Sequence, residues 1–168
     1  LGSPWADFEL GLNMGASYKN FDLTMNWFGS FGSTVYNGYR SLVDRFDDNS
    51  NYRAGIKPWT PDNTNTDVPR AYYGSTLNSR GDSNRWLESG TFMRLKFISL
   101  SYRLPASFVK RIGFANAQVT LSGQNLITIT NFGGLDPEFN NSNMFERGVY
   151  SFQFPNLKMY SAGLQFGF

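Results

Sequence analysis

Apolar and polar residues alternate with a period of two in five separate stretches of this sequence, and each stretch predicts a β-strand. In "FELGLNMGASY", Phe8, Leu10, Leu12, Met14, Ala16 and Tyr18 share one parity, and Glu9, Gly11, Asn13, Gly15 and Ser17 the other. "FDLTMNWFGSF" sets Phe21, Leu23, Met25 and Trp27 against Asp22, Thr24 and Asn26. "FMRLKFISLSYRL" carries Ile98, Leu100, Tyr102 and Leu104 against Ser99, Ser101 and Arg103. "QVTLSGQNLITIT" gives Val119, Leu121, Ile127 and Ile129 against Gln118, Thr120, Ser122 and Gln124. The last is "YSAGLQFGF", with Tyr160, Ala162, Leu164, Phe166 and Phe168 on one parity and a polar, glycine-rich row on the other.

These strands run about 11 to 14 residues, longer than is usual in soluble sheets and suited to a tilted crossing of a bilayer. Their second face is polar and rich in Gly and Ser, as expected of a wall that looks into a wet lumen. The connections alternate in length. A tight Lys19-Asn20 turn is followed by a long stretch over residues 33–90, a short connection over 105–116 and a longer one over 131–155. That alternation is the pattern of periplasmic turns and extracellular loops. Five strands at roughly 4.8 Å spacing make a sheet only about 24 Å wide, and bacterial barrels of one chain have an even strand number. The expected fold class is therefore all-β: a transmembrane antiparallel β-barrel, of which residues 1–168 form the C-terminal five-strand segment.

Two of these strands carry residues out of step. Arg94 and Lys96 share the parity of Ile98 and Leu100, which places them at the anionic headgroup level beside the loops, and Asn125 on its apolar row predicts a bulge.

Composition removes most catalytic chemistry. With no His and no Cys among 168 residues there are no imidazole bases, thiolate nucleophiles or Cys/His metal sites. No carboxylate pair, nucleophile with base, or phosphate-cradling glycine loop stands out, so neither enzyme activity nor a cofactor is expected. A net charge of +2 gives no electrostatic footprint for nucleic acid. The start, "LGSPWADFEL", lacks the basic and apolar regions of a signal peptide and reads as the beginning of a mature piece or a fragment. No apolar run approaches the 18 residues of a helical membrane span.

Half of the charged residues, and eight aromatics, lie between residues 33 and 90. So aromatic a loop is expected to be ordered and functional. Tyr36, Tyr39, Trp59, Tyr72, Tyr73 and Trp86 offer flat faces for a sugar ring or a partner protein; the plainer reading makes them a small core within the loop. Arg70 in "TDVPR" is a contact candidate on the same terms, against a loop-stapling role. "DRFDDNSN", Asp44 to Asn51, is rich in oxygens but lacks the Gly and distal Glu of a calcium loop, and reads as a solvated acidic turn.

Several stretches taken together resemble the SusC/RagA group of TonB-dependent outer-membrane transporters of Bacteroidetes. They are "GSPWADFELGLNMGASYKNFDLTM" at Gly2 to Met25, "TDVPRA" at Thr66 to Ala71, "NRWLESGTFMRLKFISLSYRLP" at Asn84 to Pro105, "SGQNLITIT" at Ser122 to Thr130, "GLDPE" at Gly134 to Glu138, and the terminal Phe168. The resemblance implies a barrel of about 22 strands with a plug domain outside this chain, placed in the outer membrane. It also implies energy from TonB through an absent N-terminal part, a SusD-like surface lipoprotein as partner, and oligosaccharides or peptides as substrate. Under it, Phe166 and Phe168 resemble the aromatic signal read by the barrel-assembly machinery. The alternative from the residues alone is a soluble carbohydrate-binding β-sandwich with aromatic loops.

Overall fold

In the computed structural model of the chain, residues 2–46, 51–72, 83–139 and 143–168 are described. The long alternating stretches form β1 (Phe8–Tyr18), β2 (Phe21–Phe31), β5 (Phe92–Arg103), β6 (Asn116–Thr130) and β8 (Met159–Gly167), joined in that order into one antiparallel sheet. Lys19 takes a left-handed backbone, φ 53°, which reverses the chain in two residues. Asn20 then extends the ladder, donating its side-chain amide to the Arg103 carbonyl at 2.8 Å and accepting from Arg103 N–H at 2.9 Å.

The long connection is less irregular than its sequence suggests. It holds β3 (Thr34–Asn37), α1 (Gly38–Val43) and β4 (Leu87–Ser89). β3 pairs antiparallel with β4 and parallel with β7 (Val149–Tyr150), so a second, three-stranded sheet stitches the two long loops together. The short connection carries α2 (Ala106–Arg111).

Register assigns the faces. Leu12, Trp27, Leu95 and Ile127 are linked through successive cross-strand pairs, as are Phe21, Tyr102, Val119 and Leu164. Every one lies on the apolar face, where Leu121 is 56% exposed and Leu164 68%, while Leu95 among its neighbours is buried. The opposite face pairs Thr24, Ser99 and Ser122 with Ser161.

A staggered bulge corrects one reading. Between Met25 and Trp27 β2 has one residue, while the matching steps are Ile98 to Leu95 in β5 and Gly123 to Ile127 in β6. The β5 strand thus carries one extra residue, Lys96, and the parity flips there. Arg94 consequently joins the polar face opposite Phe28 and Thr128, and it is buried rather than standing among headgroups. Lys96 is on the same side, 5.7 Å from the Phe28 ring. In β6 the extra residues include Asn125, at φ 54°, whose side chain donates to the Leu157 carbonyl at 3.1 Å.

Candidate functional site: the clasped loops

Short connections lie at one end of the sheet and both long loops at the other, where the loops fold toward the polar face. Their core is Val35, Phe132 and Tyr150, with Tyr39 and Phe139 against it. Phe132 and Tyr150 meet edge-on at 5.3 Å, a favourable aromatic arrangement.

Two ionic clasps hold this core. The first starts at Asn37, fully buried, whose side-chain oxygen Oδ1 caps α1 by accepting from Arg40 N–H at 3.0 Å. Its amide donates to Glu88 Oε2 at 3.1 Å. Glu88 also accepts from Arg40 Nη1 at 2.5 Å and from Gly133 N–H at 2.7 Å, joining the first long loop to the second. A Cβ on residue 133 would stand 3.1 Å from the carboxylate, so a larger residue would push the Glu88 side chain by a few tenths of an ångström. Arg40 Nε and Arg53 Nη2 both donate to Asp44 Oδ2 at 3.1 Å. Asp44 is therefore buried between two guanidiniums rather than solvated in an acidic turn; residues 47–50 of that motif lie outside the described residues.

The second clasp fastens the loop after β6 to β5. Arg94 donates to Asp136 and to Thr128 Oγ1, the latter at 3.0 Å, and lies 2.9 Å from Glu138 Oε2. Lys96 bonds the other oxygen of Glu138. Asp136 accepts further from the Glu138 and Asn156 N–H groups, both at 2.8 Å.

Burial alone would raise the carboxyl pKa of Glu88 and of Asp136. For Glu88 the bonds from Arg40, Gly133 and Asn37 outweigh it, and for Asp136 those from Arg94, Glu138 and Asn156 do so. Both are held below their ordinary values. A lowered folded pKa contributes stability that is full above the unfolded value, about 4, and is lost as pH falls through the folded values. Hydrogen-exchange protection of residues 131–139 in the full-length protein should therefore stay level from about pH 7 to 5 and fall below about 4, while protection of β2 and β5 persists. Loss between neutral and alkaline pH would contradict this.

The residues singled out in the sequence divide between core and surface. Trp86 is fully buried, with Arg85 stacked 4.5 Å from its ring, which leaves it no face for a ligand. Tyr39 packs on the loop core and meets Phe152 edge-on at 5.2 Å. Tyr36 sits within β3, its N–H bonded to the Gly148 carbonyl at 2.8 Å. Trp59 and Tyr72 keep exposed faces, and Arg70 lies 4.8 Å from the Tyr72 ring. Tyr73 falls outside the described residues. Phe166 and Phe168 both contact the Phe114 ring, at 4.8 and 5.1 Å.

The second loop adds surface aromatics that the sequence reading passed over, Phe145 at 97% and Phe154 at 80% exposure. Their signal was there in aromatics spaced along residues 131–155. A cavity of about 280 Å³ opens between the loops and the polar face, lined by Phe28, Phe92, Phe139, Glu9, Glu138 and Arg147. Among the described residues no group of acidic side chains is placed to hold a metal.

No family model matches the chain. It is 33% identical to TonB-dependent receptor P3 and 30% identical to TonB-dependent receptor P26, both of Formosa agariphila, in each case over the whole of this chain. The chain spans 17% and 18% of those relatives' lengths. Among solved structures, the RagAB peptide importer in its closed-closed state matches with a TM-score of 0.79 at 31% identity, over 98% of this chain and 18% of that one. The RagAB peptide transporter matches at 0.80 and 30%, over 98% of this chain and 17% of that one. These relatives are receptors and importers rather than enzymes. Identity along the full sequence and the match in fold agree: the chain belongs to the TonB-dependent receptors, in their SusC/RagA group.

Proposed function

We propose that residues 1–168 are barrel wall with two extracellular loops, at about 33–90 and 131–155, of an outer-membrane importer driven through TonB and working with a SusD-like surface lipoprotein. The observation that carries this reading is the division of the sheet into two faces. One is apolar, with exposed large side chains in all five strands, and the other is polar and receives the loops. The open edges of β1 and β8 fit continuation into further barrel strands, since unpaired backbone cannot stand in lipid. Ten residue steps along β1 at about 3.3 Å, tilted about 40°, give an apolar band of about 25 Å, the height of an outer-membrane barrel's lipid belt. A soluble sandwich would need a second sheet over Leu10, Leu100, Leu121 and Leu164, all of which are exposed.

The substrate class is oligosaccharide or peptide, and similarity to a peptide importer favours peptide. Exposed Trp59, Arg70 and Tyr72, with Phe145 and Phe154, are the contact candidates for substrate or lipoprotein; Phe166 and Phe168 serve assembly.

Deleting residues 55–72 from the full-length receptor removes Trp59, Arg70 and Tyr72 but spares the clasp residues Arg40, Asp44, Arg53 and Glu88. Surface abundance should stay near wild type while growth on peptide or glycan as sole nutrient, or capture of the lipoprotein, falls about tenfold or more. Unchanged uptake and capture would remove these residues from function, and loss of the folded barrel would make the segment structural.

A further inference from the structure

We propose that the turn between β5 and β6 is a phospholipid-binding anchor at the short-turn end of the barrel. Phe108 and Ile112 enter the boundary between headgroups and acyl chains, and Lys110 and Arg111 hold the phosphates of anionic phospholipid. The inference rests on the barrel reading above.

The turn is ordered. The Pro105 carbonyl accepts from the N–H groups of Phe108 and Val109 at 3.0 and 3.1 Å, and Phe114 N–H returns to the Val109 carbonyl at 3.2 Å. Val109 is fully buried and fixes which side of α2 faces the protein. Phe108 in α2 and Ile112 at its C-terminal cap are 52% and 48% exposed.

Two observations select lipid as the occupant. The first is continuity with the apolar face: the ring of Phe114, at the end of this turn, meets those of Phe166 and Phe168 of the outward row at 4.8 and 5.1 Å. The second is charge. Lys110 and Arg111 are exposed and pair with no carboxylate among the described residues, and Lys19 stands on the hairpin at the same end. Asp22, the acid there, is taken by Arg103 at 2.9 Å. Apolar side chains flanked by unpaired cations are the arrangement that binds an anionic membrane surface.

The test uses the full-length receptor, freed of any other cysteine, in nanodiscs of phosphatidylethanolamine with or without phosphatidylglycerol. Nitroxide labels are placed singly through Phe108→Cys and Leu164→Cys, and collision with oxygen is compared with collision with a water-soluble nickel complex. Both labels should favour oxygen. In the phosphatidylglycerol discs, Lys110→Gln with Arg111→Gln should raise nickel access at position 108 about twofold, with no change at 164. A label at 108 open to nickel beside an oxygen-rich label at 164 would overturn the anchor and leave the barrel standing. Nickel access at both would overturn the barrel reading itself. A label at 108 closed to both reagents would assign the turn to a protein contact, and indifference to the charge changes would remove the phosphate site.

Discussion

Leu164→Lys lowers the amount of folded, membrane-inserted receptor, while Gln165→Lys leaves it near wild type. Leu164 lies mid-way along β8, pairs with Val119 and is 68% exposed on the apolar face; Gln165 pairs with Gln118 on the other. If the first face meets hydrocarbon, a lysine at 164 is destabilising by about 2–4 kcal/mol near the midplane and about 0–1 kcal/mol near an interface. A lysine at 165 remains in water. The measurement is heat-modifiable mobility of the full-length receptor in outer-membrane fractions, read with total protein to separate folding from expression. Equal tolerance of both variants would show that the apolar row does not face lipid.

The strands were legible because period-two alternation over nine or more residues admits few other readings. β1 and β2 have the boundaries that the alternation predicts, Phe8 to Tyr18 and Phe21 to Phe31. β3, β4 and β7 were not legible: strands of four, three and two residues are too short to show a period. Their order, β4-β3-β7, depends on pairing between loops more than a hundred residues apart, which no local pattern encodes. The bulge misled in a more instructive way. Asn125 announced an irregularity by placing an amide on an apolar row, whereas Lys96 hid one, since a charged pair at a strand end fits an interfacial position equally well. One inserted residue turned Arg94 from the supposed headgroup zone into the anchor of the second loop. Trp86 shows the limit of reading aromatics singly. Its burial depends on the turn that its own segment Asn84–Trp86 makes, with Ser83 capping it by accepting from Arg85 N–H at 3.2 Å.

Arg94→Met releases the second long loop while the barrel stays folded. Arg94 and Asp136 have side chains only 3% and 6% exposed, so removing the guanidinium strands a carboxylate in a nearly dry site. Breaking one half of a buried pair is destabilising by about 3–5 kcal/mol, because the remaining charge keeps its desolvation penalty and loses its counter-charge. At about tenfold per 1.4 kcal/mol, the opened population of the loop should rise by roughly two to three and a half orders of magnitude. Hydrogen exchange of residues 131–139 and 151–158 reports that opening, and heat-modifiable mobility reports the barrel. Adding Asp136→Asn separates charge from shape. Glu138 N–H bonds Asp136 Oδ1 and Asn156 N–H bonds Oδ2, so the single asparagine oxygen still accepts from one of the two, while the orphan charge is gone. Because Lys96 still neutralises Glu138, the double variant should recover part of the lost protection. If the double variant opens further than Arg94→Met alone, the two residues act independently, and the loop is held by its aromatic core of Phe132, Phe139 and Tyr150 rather than by the clasp.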